Sequence, residues 1–231
     1  MKNEIHHRDF GLLLSDAIFF EKLARNESNE QIRKRYARSS IIFSSLILEC
    51  AANCCLSCFE INTQLKNDLD KLPFLTKLDL FALHGFKKQI DYGRHEVQKV
   101  NEIKSIRDSI VHPKVIKTIV GNPVEGERHF ASFPYNLTFS IKPKPATGMI
   151  GNSSLWTHRD CFTAIQTVIE FFNYFFQELL EMEKGLVFGL LNDAYIEEGN
   201  AISSIYVPTL FDEIAYLKEK GVSIKFMVTE P

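Results

Sequence analysis

Near its middle the chain reads Arg107-Asp108-Ser109-Ile110-Val111-His112-Pro113-Lys114. The run places an always-charged guanidinium five residues before a titratable imidazole. Arginine binds phosphate oxygens through a planar fork of donors, and histidine transfers protons near neutral pH. A pair of this kind indicates cleavage of a phosphodiester without a metal ion.

The segment before this run has the periodicity of an amphipathic helix. Its apolar residues recur at spacings of three and four: Val97, Val100, Ile103, Ile106 and Ile110. The pattern predicts a helix from about Arg94 to Val111, and Pro113 places His112 at the helix end or just beyond it. On an ideal helix Arg107 and His112 lie roughly 140° apart. They converge on one substrate only if the helix end distorts or a second copy of the chain takes part.

The run resembles the signature of the HEPN superfamily, a group of small helical-bundle proteins. That signature is an Arg, a polar residue, three or so further residues and a His, which Arg107, Asp108 and His112 match position by position. Continuation into Pro113 and Lys114 is common in bacterial members. The chain departs from members that carry a Tyr two residues after the His, because Lys114 stands there.

Looser likenesses to the family extend over roughly residues 10–182. They are an apolar helix over 39–59 that carries an acid, the Leu-Pro-Phe-Leu-Thr-Lys-Leu segment at 72–78 and a late helix over about 160–180. The Arg/His run alone is diagnostic, and it is short.

The resemblance implies a metal-independent endoribonuclease that works as a homodimer, with two Arg/His pairs facing each other. His112 would take the proton from a 2′-hydroxyl or protonate the leaving 5′-oxygen. Arg107 would hold the scissile phosphate, and Asp108 would orient the imidazole or cap local backbone groups. The expected partners are RNA or a nucleotide and a second copy of the chain. Toxins and defence effectors held by an antitoxin or other protein partner also belong to the family.

Two alternatives remain open for the same residues. In the first, the chain is a non-catalytic HEPN-like module that binds a nucleotide, RNA or a protein. In the second, Arg107 forms a surface salt bridge with Glu102 or Asp108, and His112 caps the helix C-terminus, where the dipole favours a cation.

Glu49 is the acid within the apolar helix over 39–59. An unpaired buried charge is costly, so this carboxylate is expected to have a partner. We predict that Glu49, together with Asn53, reaches Arg107 or its neighbours and positions it. Lys114 is a further supporting residue.

Composition is typical of a soluble globular protein, with 231 residues of which 45% are apolar and 24% charged. The net charge is −2 but is unevenly distributed. Residues 84–117 carry eight Lys and Arg against four acids, whereas residues 178–231 carry four against ten. A basic patch around the motif suits a phosphate ligand, although a solvated helix face fits the same counts.

Four of the five cysteines fall within residues 50–58, and Cys50, Cys54 and Cys58 form a stripe along one helix. No second Cys or His pair has zinc spacing, so we interpret them as packing residues and expect neither metal nor cofactor. Reduced thiols and the absence of a secretory signal at the start predict a cytoplasmic protein. The run over 39–59 is long enough to span a membrane, but Glu49 and Asn53 favour the central helix of a bundle.

The predicted fold class is mainly α: a HEPN-like helical bundle with an inserted β-hairpin and a small α/β C-terminal extension. The bundle covers 1–182, with the hairpin at about 115–145, and the extension covers 183–231. Predicted helices cover 10–25, 30–59, parts of 69–88, 94–111 and about 160–180, the last opened by a Thr157/Asp160 capping box. Predicted strands are 115–120 and 139–141 in the hairpin, and 202–207 and 222–228 flanking a helix over 208–220.

Overall fold

The computed structural model describes residues 3–112, 115, 117, 120–121, 124–132, 137–197, 200–205 and 209–229. These residues form a mainly helical fold. Its helices are α1 (Phe10–Asn26), α2 (Glu30–Ser57), α3 (Thr63–Asp70), α4 (Phe74–Phe81), α5 (His95–Val111), α6 (His158–Phe172), α7 (Lys184–Leu191) and α8 (Thr209–Glu219). Its strands are β1 (Glu4–His6), β2 (Arg128–Ser132), β3 (Leu137–Ile141), β4 (Asp193–Glu197) and β5 (Asn200–Ile205).

The long helices begin and end close to where the sequence predicts them. The bounds of α1, α2 and α5 agree with the predictions within two residues. Local signals fix these ends: the Asn29 side chain accepts from the N–H groups of Gln31 and Ile32 at the start of α2. At the start of α6, Asp160 accepts from the N–H of Thr157, as in the predicted capping box, and it also accepts from the Thr157 hydroxyl.

The central element of the bundle is α2, which packs against α1, α4, α5, α6 and α7. By length and composition it is the one helix among the described residues that could cross a membrane. Most of its apolar window is buried against other helices of the chain.

The core is rich in phenylalanine. The rings of Phe10, Phe172, Phe176 and Phe226 lie against one another with centroids 5.4–6.2 Å apart. Since Phe226 comes from the last residues of the chain, the C-terminal segment fills the same core as α1 and α6. The division into a bundle over 1–182 and an extension over 183–231 stays a prediction.

A hairpin before α6 is present and is formed by β2 and β3; of the predicted first strand over 115–120, Val115 and Lys117 are not in a strand. Strand β3 pairs with β2, and Val120 contributes a single bridge to Phe139. The Val and Ile residues of 115–120 have high strand propensity, yet the partner of a strand is chosen by contacts across the sheet. Here the Phe130 and Phe139 rings stack at 5.6 Å. Residues 116, 118 and 119 lie outside the described residues.

The predicted strand over 222–228 is wrong. No strand is assigned there, because Asn173 takes the place of a neighbouring strand: its Nδ2 donates to the Ser223 carbonyl and its Oδ1 accepts from the Lys225 N–H, both at 2.7 Å. Phe226 and Met227 are buried directly after this clamp. The predicted helix over 208–220 is confirmed as α8, and Gly221 follows it with the left-handed φ of +83°.

Sequence reasoning missed the helices α3 and α7 and the strands β1 and β4. Strands β1, β4 and β5 form an antiparallel sheet in the order β1-β4-β5, separate from β2-β3. Ile5 pairs with Tyr195, so the N-terminal strand is fixed by residues far along the chain. A three-residue edge strand of this kind has almost no local signal.

Candidate functional site

Arg107 lies one turn before the end of α5 and is mostly buried, with 21% of its side chain exposed. Its Nη2 lies 3.3 Å from Oε1 of Glu49 on α2, and its Nε lies 3.2 Å from Oδ1 of Asp108. The contact predicted between Glu49 and Arg107 is therefore present. The hydrogen bond to Glu49 and the ion pair with Asp108 restrict the orientation of the planar guanidinium.

Glu49 has a second cation beside it. The ammonium of Lys77, on α4, lies 3.9 Å from Oε2 of Glu49 and donates to Asn53 Oδ1 at 2.7 Å. Lys77 also lies 3.4 Å from Asp70, and only 3% of its side chain is exposed. Asn53 thus contacts Lys77, which in turn lies beside the carboxylate that holds Arg107.

These contacts form a row of alternating charges, which we call the charge row. It runs through Asp70, Lys77, Glu49, Arg107, Asp108 and Lys104, with Asp108 Oδ2 3.7 Å from the Lys104 ammonium. Three acids alternate with three bases, so the row is neutral as a whole. It joins α3, α4 and α2 to the end of α5, which fixes the helix end relative to the bundle.

His112 lies just past α5, as the proline after it predicts. Its φ of −123° and ψ of 69° are not helical, and its N–H donates to the Asp108 carbonyl at 2.9 Å. The residue is exposed, and none of the described side chains forms a hydrogen bond with its ring. The imidazole is thus available to a substrate or to another chain.

The loop before α6 holds the last turns of α5. The Ser109 hydroxyl lies 2.7 Å from the Ile106 carbonyl and 3.4 Å from the Gly151 carbonyl. Earlier in the helix, the carboxylate of Glu102 accepts from the N–H of Ala146 at 3.0 Å and of Thr147 at 2.8 Å. Glu102 is therefore engaged with this loop and not with Arg107.

Both parts of the alternative in which Arg107 forms a salt bridge and His112 caps the helix are also present in part. Arg107 contacts Asp108, as the surface salt-bridge alternative requires. His112 is the C-cap residue of α5, although it caps through its backbone N–H. Arg107 still has donor capacity, because both N–H bonds of Nη1 lack a hydrogen-bond partner among the described residues. The predicted site residue Lys114 and its neighbour Pro113 lie outside them.

Sequence reasoning missed Lys77 and Asp70. Lys77 stands in a mostly apolar helix, Phe74-Leu75-Thr76-Lys77-Leu78-Asp79-Leu80-Phe81, between Leu75 and Leu78. A buried lysine must have charged or polar partners. A partner for Lys77 could therefore have been predicted by the argument that predicted one for Glu49.

The cysteines differ along their helix. Cys54 and Cys55 are buried, Cys50 is half-buried, and Cys58 is exposed. The packing interpretation thus fits the first two fully and Cys58 poorly. The hydrogen bond to Cys54, followed by burial, raises the pKa of the Cys50 thiol. Among the described residues, no group of three or more His, Cys, Asp or Glu side chains could hold a metal ion.

Comparison of the chain with family models, with curated proteins and with solved structures found no match. The HEPN resemblance therefore depends on the Arg107/His112 run and its flanking pattern.

Proposed function

We propose that the chain is a HEPN-like, metal-independent endoribonuclease that acts as a homodimer. The observation that carries the proposal is the end of α5. There Arg107 is oriented by Glu49 and Asp108, and the exposed ring of His112 has no hydrogen-bond partner among the described residues. An oriented cation and a free imidazole at the end of one helix are the groups that metal-free phosphodiester cleavage needs, and a second copy of the chain can bring them to one phosphate.

In the proposed reaction, the imidazole of His112 removes the proton from the 2′-hydroxyl of RNA. The resulting oxygen attacks the neighbouring phosphorus, and the bond to the 5′-oxygen breaks as that oxygen receives a proton. The products end in a 2′,3′-cyclic phosphate and a 5′-hydroxyl. Arg107 stabilises the charge that develops on the phosphate oxygens, through the Nη1 donors that the charge row leaves free.

The two proton transfers motivate the homodimer. One imidazole acts as base and a second acts as acid, and the second is supplied by the His112 of another copy of the chain. A nuclease of this type fits the role of a toxin or defence effector kept inactive by an antitoxin.

A second candidate function is a non-catalytic nucleotide- or RNA-binding or protein-interaction module. One observation favours it: Arg107 already contacts two carboxylates, which neutralise part of its charge. An arginine paired in this way attracts a phosphate less strongly than a free one. The cleavage experiment separates the two functions.

The test is cleavage of a mixed set of labelled RNAs by the purified full chain in excess EDTA. The proposal predicts 2′,3′-cyclic phosphate ends, and loss of at least about 100-fold in rate in Arg107→Ala and in His112→Ala. Matched controls are Arg94→Ala and His95→Ala, at the opposite end of α5, which retain activity.

The oligomeric state is measured in the same preparations by light scattering. If a wild-type dimer binds RNA but does not cleave it, the nuclease proposal is wrong and the non-catalytic binding module is favoured. Cleavage that survives in His112→Ala would remove His112 from the mechanism.

A further inference from the structure

A groove of about 740 Å³ lies beside the charge row, between the start of α1 and the second half of α2. Its residues include Arg8, Leu13, Leu46, Glu49, Cys50 and Asn53. A volume of this size suits a small molecule or one nucleotide. Glu49 borders the groove and also contacts Arg107, so the groove lies one side chain away from the candidate catalytic arginine.

One wall of the groove is rigidly held. Asp193 accepts from the Arg8 N–H at 2.6 Å through Oδ1 and contacts Nδ1 of His7 at 3.0 Å through Oδ2. The Arg8 guanidinium uses its Nη1 to donate to the carbonyls of Gly189 and Asn192. Its Nε and Nη2 donors have no partner in the part of the chain that the structure describes. The Arg8 guanidinium is thus anchored and still has free N–H donors. Because its position is already fixed, the entropy cost of binding an anion is lower.

The opposite wall offers further donors. Asn53 is exposed, and its Oδ1 is occupied by the Lys77 ammonium, which can only donate. Its Nδ2 is therefore left to donate into the groove. Lys66 on α3 is exposed, and its ammonium has no described partner.

The lining of the groove also has an apolar part. It consists of Leu13, Leu46 and the half-buried thiol of Cys50, which we call the floor of the groove. Two acids also border the groove. Glu49 lies between Arg107 and Lys77, which offset its charge, and Asp9 stands just before α1.

We propose that this groove binds one unpaired nucleotide of the RNA, adjacent to the scissile phosphate. Its base lies on the Leu13/Leu46/Cys50 floor with an edge accepting from Asn53, and a phosphate flanking it contacts Arg8 and Lys66. Single-stranded RNA is recognised through splayed bases of this kind, placed against side chains and read at their edges. The assignment of the ligand as RNA rests on the proposed function, whereas nucleotide binding by the groove is measurable without it.

The first experiment titrates the full chain with AMP, GMP, CMP and UMP by calorimetry. Cys50→Phe fills the floor and weakens binding at least roughly tenfold, as blocking an apolar pocket does. Lys66→Gln removes one exposed charge and weakens binding roughly two- to fivefold. Cys58→Phe and Lys71→Gln are the matched controls, at the positions directly after α2 and α3 and outside the groove lining, and they leave the affinity unchanged. Lys66→Gln keeps the test informative if Cys50→Phe does not fold.

The second experiment compares cleavage of RNAs that carry an abasic ribose on either side of the cleaved bond. The proposal predicts that one of the two loses at least roughly tenfold in kcat/KM in the wild type. That penalty shrinks in Cys50→Phe, because the variant no longer binds the base.

Nucleotide binding that none of the groove variants weakens, or no nucleotide binding at all, overturns the groove proposal even if RNA is cleaved. Groove-dependent nucleotide binding without RNA cleavage supports the groove as a binding site and removes the nuclease.

Discussion

At the scale of single residues, the unusual feature is a lysine buried beside the candidate site. Lys77 has 3% of its side chain exposed, yet its partners Asn53 and Asp70 are largely exposed. Because Asp70 can turn towards water and Glu49 is also paired with Arg107, the two ion pairs of Lys77 contribute little to stability. In the proposed nuclease, Lys77 then holds Glu49 in place for Arg107 and is a positioning residue.

We predict that Lys77→Met changes the free energy of unfolding by less than about 1 kcal/mol, since Met fills the same volume without a buried charge. The same variant lowers the rate of RNA cleavage, with kcat falling more than KM changes, because Glu49 loses a partner and Arg107 becomes less well oriented. Lys77→Arg restores part of the lost rate. Urea denaturation and steady-state kinetics measure the two effects.

The control for this prediction is Lys71→Met, which removes a lysine whose side chain is 75% exposed and lies outside the charge row. It should alter neither stability nor cleavage. A wild-type rate in Lys77→Met would show that the buried lysine has no part in positioning Arg107.

At the scale of elements, features set by neighbouring residues could be predicted from the sequence. Features set by contacts between distant residues could not. The bounds of α5, the capping box of α6 and the non-helical His112 follow from nearby residues. The Glu49 contact follows from the cost of burying a lone charge. The pairing of β1 with β4 and the hydrogen bonds of Asn173 join residues that are far apart in the chain, so no local pattern predicts them.

One contact between elements predicts a pH dependence. Glu213 on α8 is buried, and its Oε2 has no hydrogen-bond partner among the described residues. Burial raises its pKa above 4.5; Ser15 and Lys22 oppose the shift, whereas Asp16 and Asp212 add to it. A carboxyl group whose pKa is higher in the folded state contributes its full stability below its unfolded pKa. That stability falls as the pH rises through the folded pKa.

We therefore predict that Glu213→Gln stabilises the protein at about pH 8 by about 1 kcal/mol and has little effect at about pH 4. The amide keeps a polar group for Ser15 but carries no charge. Urea denaturation at the two pH values measures the difference. Glu219→Gln, an exposed position on the same helix, is the control, and an equal gain in both variants would contradict the explanation.

At the scale of the whole molecule, the question is whether residues 183–231 are an extension or part of the core. Several contacts join them to α1: Tyr216 donates to the buried carboxylate of Glu21 at 2.7 Å, and the Phe226 ring packs on Phe10. The same carboxylate accepts from Arg25, so α8 completes a buried network that α1 begins. Removal of residues 183–231 would therefore expose part of the Glu21 carboxylate and part of the aromatic cluster around Phe10.

Phe226→Ala tests this directly. Phe226 is fully buried, with ring centroids 5.4 Å from Phe172 and 6.0 Å from Phe176. We expect a loss of about 3–5 kcal/mol in the free energy of unfolding, which is the cost of a phenylalanine-sized cavity. Phe19→Ala, at a position that is 48% exposed, should cost less than about 1 kcal/mol. If α8 and the C-terminal segment share one core with the bundle, urea denaturation gives a single transition that Phe226→Ala shifts as a whole. Two transitions, with the variant moving only one, would instead support a boundary near residue 182.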